Sequence, residues 1–280
     1  MTRQATNPPA FEEAVYAHLA GKENQFNYAQ MVETFLDFQR FVKWTAIVAR
    51  QRPIEQARVL SSGCGFGGSL LAWWQAGASE VQGVEVDPEF VAMAQLRVEP
   101  YEGATVHPIG PRDPLPFGDE QFDIIESMDV IEHVEHVHAY MTELVRVLKP
   151  GGQILMVTPN RIWPIEQHLN IAGPPWMPVP VADELFGLLA KLPWLDDDRR
   201  FKYAKLKGMR TQNMSLLRVR NLAKRYGLHM ELIYDEPDNP DFPLPPQPAW
   251  HSAWLHHPIG KFFSPIKAIS VILHKPQPRP

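Results

Sequence analysis

Short apolar runs at regular intervals dominate the first 160 residues. Arg58 to Ser61, Val81 to Val86, Thr105 to Ile109, Phe122 to Ser127 and, after Pro150-Gly151-Gly152, Gln153 to Thr158 are rich in Val, Ile and Leu. Runs of this length and composition read as buried strands. Helical stretches or loops separate them, and the alternation predicts an α/β fold with a doubly wound, mostly parallel sheet covered by helices on both faces. Upstream, from Asn27 to Arg50, Met31, Phe35, Phe38 and Val42 recur three or four apart with Glu33, Asp37, Arg40 and Lys43 between them. This is an amphipathic helix, read here as a cap over the sheet, with cover over a substrate pocket as the alternative. Asp87-Pro88 marks a helix start, with Asp87 as its cap. From Arg161 to Asn213 the pattern gives way to tryptophans, prolines and short helical pieces, which reads as an insertion. Met214 to Tyr226 is again helical, and Leu228 to Tyr234 and Ile266 to His274 read as the last two strands on either side of a proline-rich excursion.

Composition narrows the picture. A chain of 280 residues accommodates one large domain with insertions, and 45% hydrophobic residues are enough for a sizeable core. The 28 prolines favour irregular loops in the insertion and near the C-terminus. A net charge of -5, without a long run of one sign, argues against nucleic acid as a main partner. No run approaches the length of a membrane span and no apolar leader opens the chain, so a cytoplasmic protein is expected. One cysteine, Cys64, cannot form an internal disulfide. A homo-oligomer is compatible with the amphipathic helix, which could pack on its own sheet or on a partner.

Chemistry concentrates at the first strand end, where Val59-Leu60-Ser61-Ser62-Gly63-Cys64-Gly65-Phe66-Gly67-Gly68 runs into a helix. Glycines let backbone pass close to a ligand, and helix amides point at whatever binds there. The spacing of Gly63, Gly65 and Gly68 also fits a dinucleotide site, so a nicotinamide-dependent dehydrogenase stays open on the glycines alone. Glu85, ending the second strand, is placed to accept hydrogen bonds from a ribose. Glu132, His133, Glu135, His136 and His138 lie close in sequence, but they lack a cysteine and the spacing of one helix face, and no metal is expected.

Leu115-Pro116-Phe117, Phe122-Asp123-Ile124-Ile125, Val130-Ile131-Glu132-His133-Val134 and Arg146-Val147-Leu148-Lys149-Pro150-Gly151-Gly152 follow the glycine loop in order. The series resembles the class I S-adenosylmethionine-dependent methyltransferases. The resemblance implies a seven-stranded sheet with the last strand inserted antiparallel, and S-adenosyl-L-methionine as cofactor. It places Gly63, Cys64, Gly65 and Gly67 under the methionine moiety, Glu85 on the ribose and Val86 beside the adenine. It also brings backbone oxygens of Ser127 and Met128 to the amino group, with His133 close to the cofactor or packed at a helix start. Asp123 matches a motif letter that orders the loop.

Two positions depart from the family pattern. Ser61 stands where an acid usually anchors the methionyl ammonium, and Pro111 where an acid often meets the adenine amino group; Asp113, or the main chain at Arg112, is the substitute for the latter. These departures leave open a methyltransferase-fold binding protein without catalysis. The segment from Thr158 to Pro178 resembles a proline-rich lid found in some bacterial methyltransferases. Trp163, Trp176 and Trp194 are then candidate walls for the acceptor, Tyr28 a further one, and His168 the candidate general base. The implied organisation is a helical cap over 1–55, a cofactor core over 56–160, a lid over 161–213 and a completion of the core over 214–280. The implied reaction moves a methyl group to an oxygen or nitrogen of a small-molecule acceptor.

Overall fold

The computed structural model describes residues 3–23, 28–166, 168–233 and 268–278. Two compact units emerge: Met1–Ser127 with Glu143–Leu155 and Lys275–Pro280, and Met128–Thr142 with Met156–His274.

The first unit opens with α1 (Pro9–His18), α2 (Tyr28–Leu36) and α3 (Val42–Ala49). The single helix predicted from 27 to 50 is therefore interrupted, and its first residue, Asn27, lies outside the described residues. Asp37 causes the break: its Oδ1 accepts from the Gln39 amide at 2.8 Å, a local bond that competes with helical hydrogen bonding. α1 was not anticipated. Phe11 and Val15, with Leu19 just beyond its end, are buried with Met93, and Tyr28, Met31 and Phe35 pack around them.

Four strands and two helices follow: β1 (Arg58–Ser62), α4 (Gly68–Gln75), β2 (Glu80–Glu85), α5 (Pro88–Val98), β3 (Ala104–Pro108) and β4 (Phe122–Met128). The four strands lie within a residue or two of their predicted positions. β1 pairs in parallel with both β2 and β4, and β2 with β3. Asp87 does cap α5, accepting from the amides of Glu89 and Phe90 at 2.8 and 3.3 Å.

Arg97 on α5 is fully buried. It donates to Asn7 Oδ1 at 3.0 Å and to the carbonyls of Phe35, Leu36 and Phe66 at 3.0, 2.9 and 3.3 Å, with Phe11 beneath the guanidinium. Burial pulls its pKa down to about 9, which still leaves it charged at neutral pH.

α6 (Val137–Val147) leads into β5 (Leu148–Pro159). β5 starts earlier than predicted, because Pro150-Gly151-Gly152 belongs to it. Gly151 takes φ +75°, and the Gly151 amide and Gly152 carbonyl bond to Lys275 at 2.8 and 2.9 Å. Asp123 anchors the base of the sheet, accepting from the Arg58 amide at 3.0 Å and from Lys149 Nζ at 2.8 Å.

In the second unit the predicted insertion holds a small hairpin, β6 (Ile165–Glu166) and β7 (Ile171–Ala172), then α7 (Val179–Leu189) and α8 (Asp197–Lys205). Ile171, Ala182, Phe186 and Leu206 form its own small core. α9 (Leu216–Arg225), β8 (His229–Leu232) and β9 (Ala268–His274) close the chain. Tyr234, Ile266 and most of the proline-rich excursion lie outside the described residues. The seven-stranded sheet has the order β3-β2-β1-β4-β5-β9-β8, with β9 antiparallel to β8. Among the described residues no helix is long and apolar enough to cross a membrane.

Candidate functional site

The glycine loop between β1 and α4 is held by the end of β2. The amides of Gly63 and Cys64 donate to the Val84 carbonyl at 2.9 and 3.0 Å. Gly65 and Gly67 take φ +52° and +81°, a region costly for any residue with a Cβ. A Cβ at Gly65 would meet nothing within 4 Å, so the loop backbone is open on that side. Glu85 is bent over the same loop: Oε2 accepts from the Gly65 amide at 2.8 Å, and Oε1 from the amides of Val86 and Asp87 at 2.8 and 3.0 Å. Oε2 accepts one bond in this set, and a carboxylate oxygen has room for a second. An open glycine backbone beside a carboxylate with spare acceptor capacity fits the ribose and methionine portions of S-adenosylmethionine.

The other predicted donor-side residues follow β2 and β3 or end β4. Val86 is half exposed at the end of β2. Arg112 and Asp113 are exposed, and Asp113 Oδ2 accepts from the Gly110 amide at 2.8 Å in a tight turn. Ser127 is buried at the end of β4 and Met128 is partly covered. Cys64 is buried, and desolvation followed by the Glu85 charge pushes its thiol pKa up, which keeps it unreactive.

Ser61 is covered, with 1% exposure. Its Oγ lies 3.1 Å from Ser69 Oγ and donates to Glu126 Oε1 at 3.3 Å. Glu126 is the register partner of Ser61 on β4, and its other oxygen accepts from Trp73 Nε1. Burial raises the Glu126 pKa against these hydrogen bonds. Sequence reasoning missed Glu126. The available signal was an acid inside an otherwise apolar strand, Phe122-Asp123-Ile124-Ile125-Glu126.

His168 and His133 lie within the second unit. His168 Nδ1 is 2.7 Å from Glu166 Oε1, and the Glu166 carboxylate also accepts from the amides of His168 and Leu169 at 3.2 and 2.7 Å. The Glu166 bond raises the His168 pKa against desolvation. Desolvation is the largest influence on Glu166 and raises its pKa, but the hydrogen bonds from His168 and Leu169 and the His168 charge together outweigh it and leave the carboxyl below its usual value. His133 stacks edge-on against His168, with ring centres 5.2 Å apart. One ligating atom from each of Glu132, His133 and His168 falls within 4.8 Å of the others. Glu132 is 3% exposed; desolvation, reinforced by Asp129, raises its pKa to about 7.

Glu132, Glu166, His168 and Arg210 are among the residues that line a cavity of about 20 Å³. The tryptophans expected as substrate walls do not line it: Trp176 and Trp194 are 61% and 75% exposed. Trp176 instead donates from Nε1 to the Ile162 carbonyl at 3.1 Å, and the Trp163 amide closes a turn on Asn160. Tyr28 packs on the α1 cluster. The wall is polar because the β6–β7 hairpin brings Glu166 and His168 to it, while Thr158 and the 211–212 segment fix Glu132. Thr158 Oγ1 donates to Glu132 Oε2 at 2.9 Å, and the amides of Thr211 and Gln212 donate to the Glu132 carbonyl at 2.8 and 2.9 Å.

Residues 60–156 match the family described as methyltransferase domain. A ubiquinone biosynthesis O-methyltransferase of Bradyrhizobium sp. (strain ORS 278) is 36% identical over 112 residues, 38% of this chain and 41% of that protein. A namesake from Cereibacter sphaeroides (strain KD131 / KCTC 12085) is 34% identical over 125 residues, 45% of this chain and 50% of that protein. The chain thus spans half or less of the length of these curated relatives. The solved structure of an S-adenosylmethionine dependent methyltransferase from Mesorhizobium loti superposes with a TM-score of 0.56 at 19% identity, covering 85% of this chain and all of that one. Residues 60–156 thus match the methyltransferase domain, on a fold shared with the solved S-adenosylmethionine dependent methyltransferase.

Proposed function

We propose that this methyltransferase transfers a methyl group to a hydroxyl oxygen of a small-molecule acceptor, with His168 taking the hydroxyl proton. The His168–Glu166 pair beside a polar cavity carries the reading, and the printed names of the curated relatives favour oxygen over nitrogen. S-adenosylmethionine, when bound, supplies a methyl group already activated on a positive sulfur.

The chain's own residues do the rest. Gly63, Gly65 and Gly67 shape the donor loop, and Glu85 receives the ribose hydroxyls on its spare lone pair. Val86 offers exposed apolar surface for the adenine, with Ser127, Met128, Arg112 and Asp113 along the same strand ends. Glu166 fixes the His168 ring, holding the proton at Nδ1 and leaving Nε2 as the acceptor.

Release of S-adenosylhomocysteine in the presence of a panel of phenols and alcohols tests this directly. His168→Asn should lower turnover by about 10²- to 10⁴-fold, the usual worth of a general base, while leaving donor binding intact. Because the Glu166 bond raises the His168 pKa, the basic form appears only above the ordinary imidazole range. Turnover should therefore rise with pH through a midpoint above about 6.5, and Glu166→Gln should move that midpoint down. Turnover unaltered in His168→Asn would overturn the role of His168. A protein that binds the donor yet releases no product with any acceptor would support the second reading, a binding protein on a methyltransferase fold, which the neutral Ser61 motivates.

A further inference from the structure

Three buried polar atoms in the second unit have no hydrogen-bond partner among the described residues, and two of them line the same cavity. One is Glu132 Oε1, the other Arg210 Nε. Their residues are 3% and 6% exposed, so neither atom is satisfied by bulk solvent. Leaving such groups unmade costs about 1–3 kcal/mol each, more where the group is charged.

Each is otherwise firmly held. Thr158 Oγ1 fixes Glu132 Oε2 at 2.9 Å, which turns Oε1 away from that bond; His133 Nε2, at 3.9 Å, is beyond hydrogen-bond reach. Arg210 donates from Nη2 to the Pro174 carbonyl at 3.0 Å. Ile165, Pro175 and Met214 also line the cavity, beside the polar Asn160, Arg161, Gln212 and Asn213. The cavity, about 20 Å³, admits one oxygen atom and not a ring.

We infer that Glu132 and Arg210 form a hydroxyl-specific subsite for the acceptor, holding a hydroxyl other than the one whose proton passes to His168: that O–H donates to Glu132 Oε1 while its oxygen accepts from Arg210 Nε. A hydroxyl satisfies both orphaned atoms at once. An ether oxygen satisfies Arg210 alone. At a pH above about 7, where Glu132 is ionised, a carboxylate also satisfies Arg210 alone and brings a second negative charge against Glu132. The inference rests on the proposed reading of this pocket as the acceptor side. It adds two specificity-determining residues, neither of them in the glycine loop or on β2.

Chelator-treated full-length protein, titrated by ligand-observed NMR with phenol, benzyl alcohol, anisole, benzyl methyl ether and benzoate, tests it. The expected result is that the two hydroxyl compounds bind at least tenfold more tightly than their methyl ethers and than benzoate. Arg210→Met should lose this binding. Glu132→Gln replaces an acceptor by an amide donor, so its preference for hydroxyl over ether should collapse or invert, a change that general loosening of the lid would not produce. Titration with S-adenosylmethionine accompanies each variant and should be unchanged. Equal binding of ethers and hydroxyls, tightest binding by benzoate, no binding of phenol or benzyl alcohol, or an undiminished hydroxyl preference in Glu132→Gln would each overturn the inference. Failure of the wild-type protein to bind S-adenosylmethionine would instead count against the proposed function, whatever the aromatic probes do.

Discussion

Ser61 shows how one residue can be read correctly by motif and wrongly by environment. As a sequence position it lacks the family's acid, and restoring the acid looks like an improvement. In the fold its Oγ sits 3.3 Å from Glu126 Oε1 and is all but inaccessible. Ser61→Asp would set two carboxylates side by side in a buried place, where one must take up a proton. The expected outcome is a thermal midpoint lowered by several degrees and no gain in S-adenosylmethionine affinity. Ser61→Asp combined with Glu126→Ser should recover most of the loss, because the two sites are in contact and their effects do not add. Equal stability of Ser61→Asp and wild type, measured by calorimetry, would mean that the Glu126 carboxyl is already neutral there. Glu85 and Asp87, by contrast, were legible from their places at a strand end and before a proline. Glu126 and Arg210 were not, since nothing in the local pattern says what a buried polar side chain will face.

At the scale of elements, periodicity located β1 to β4 to within a residue or two because each is a short apolar run bounded by turn residues, and Asp87-Pro88 marked the start of α5. It failed where local bonds override the pattern. The 27 to 50 stretch is broken by the Asp37 side chain, and β5 takes in Pro150-Gly151-Gly152 because Lys275 pairs with the glycines. Arg97 ties α5 to α2 and, through the Phe66 carbonyl, to the glycine loop. A charge buried among carbonyls without a carboxylate bonded to it is costly to remove piecemeal, because its partners stay behind unsatisfied. Arg97→Met should cost on the order of 3 kcal/mol in urea unfolding. Arg97→Lys should recover only part of this, since a lysine cannot reach several carbonyls in the fork geometry of a guanidinium. A loss below about 0.5 kcal/mol in Arg97→Met, the level of ordinary surface substitutions, would mean that the clamp contributes little.

For the whole molecule, the seven-stranded sheet and its antiparallel last strand followed from ordered motifs spread over a hundred residues, a signal that no single glycine fingerprint provides. The lid did not. Its polar cavity joins Glu132 to Arg210, far apart in sequence, through a two-residue hairpin too short to leave a periodic trace, and its conspicuous tryptophans point elsewhere. A class I fold alone does not fix chemistry, so the donor site is the place to begin. Calorimetric titration of the purified protein with S-adenosylmethionine, S-adenosylhomocysteine and NAD compares the two ligand classes that the glycine spacing admits. Saturable binding of both sulfur ligands, with NAD at least a hundredfold weaker, is the expected result. Binding of NAD in preference, or no binding of either sulfur ligand, would contradict it.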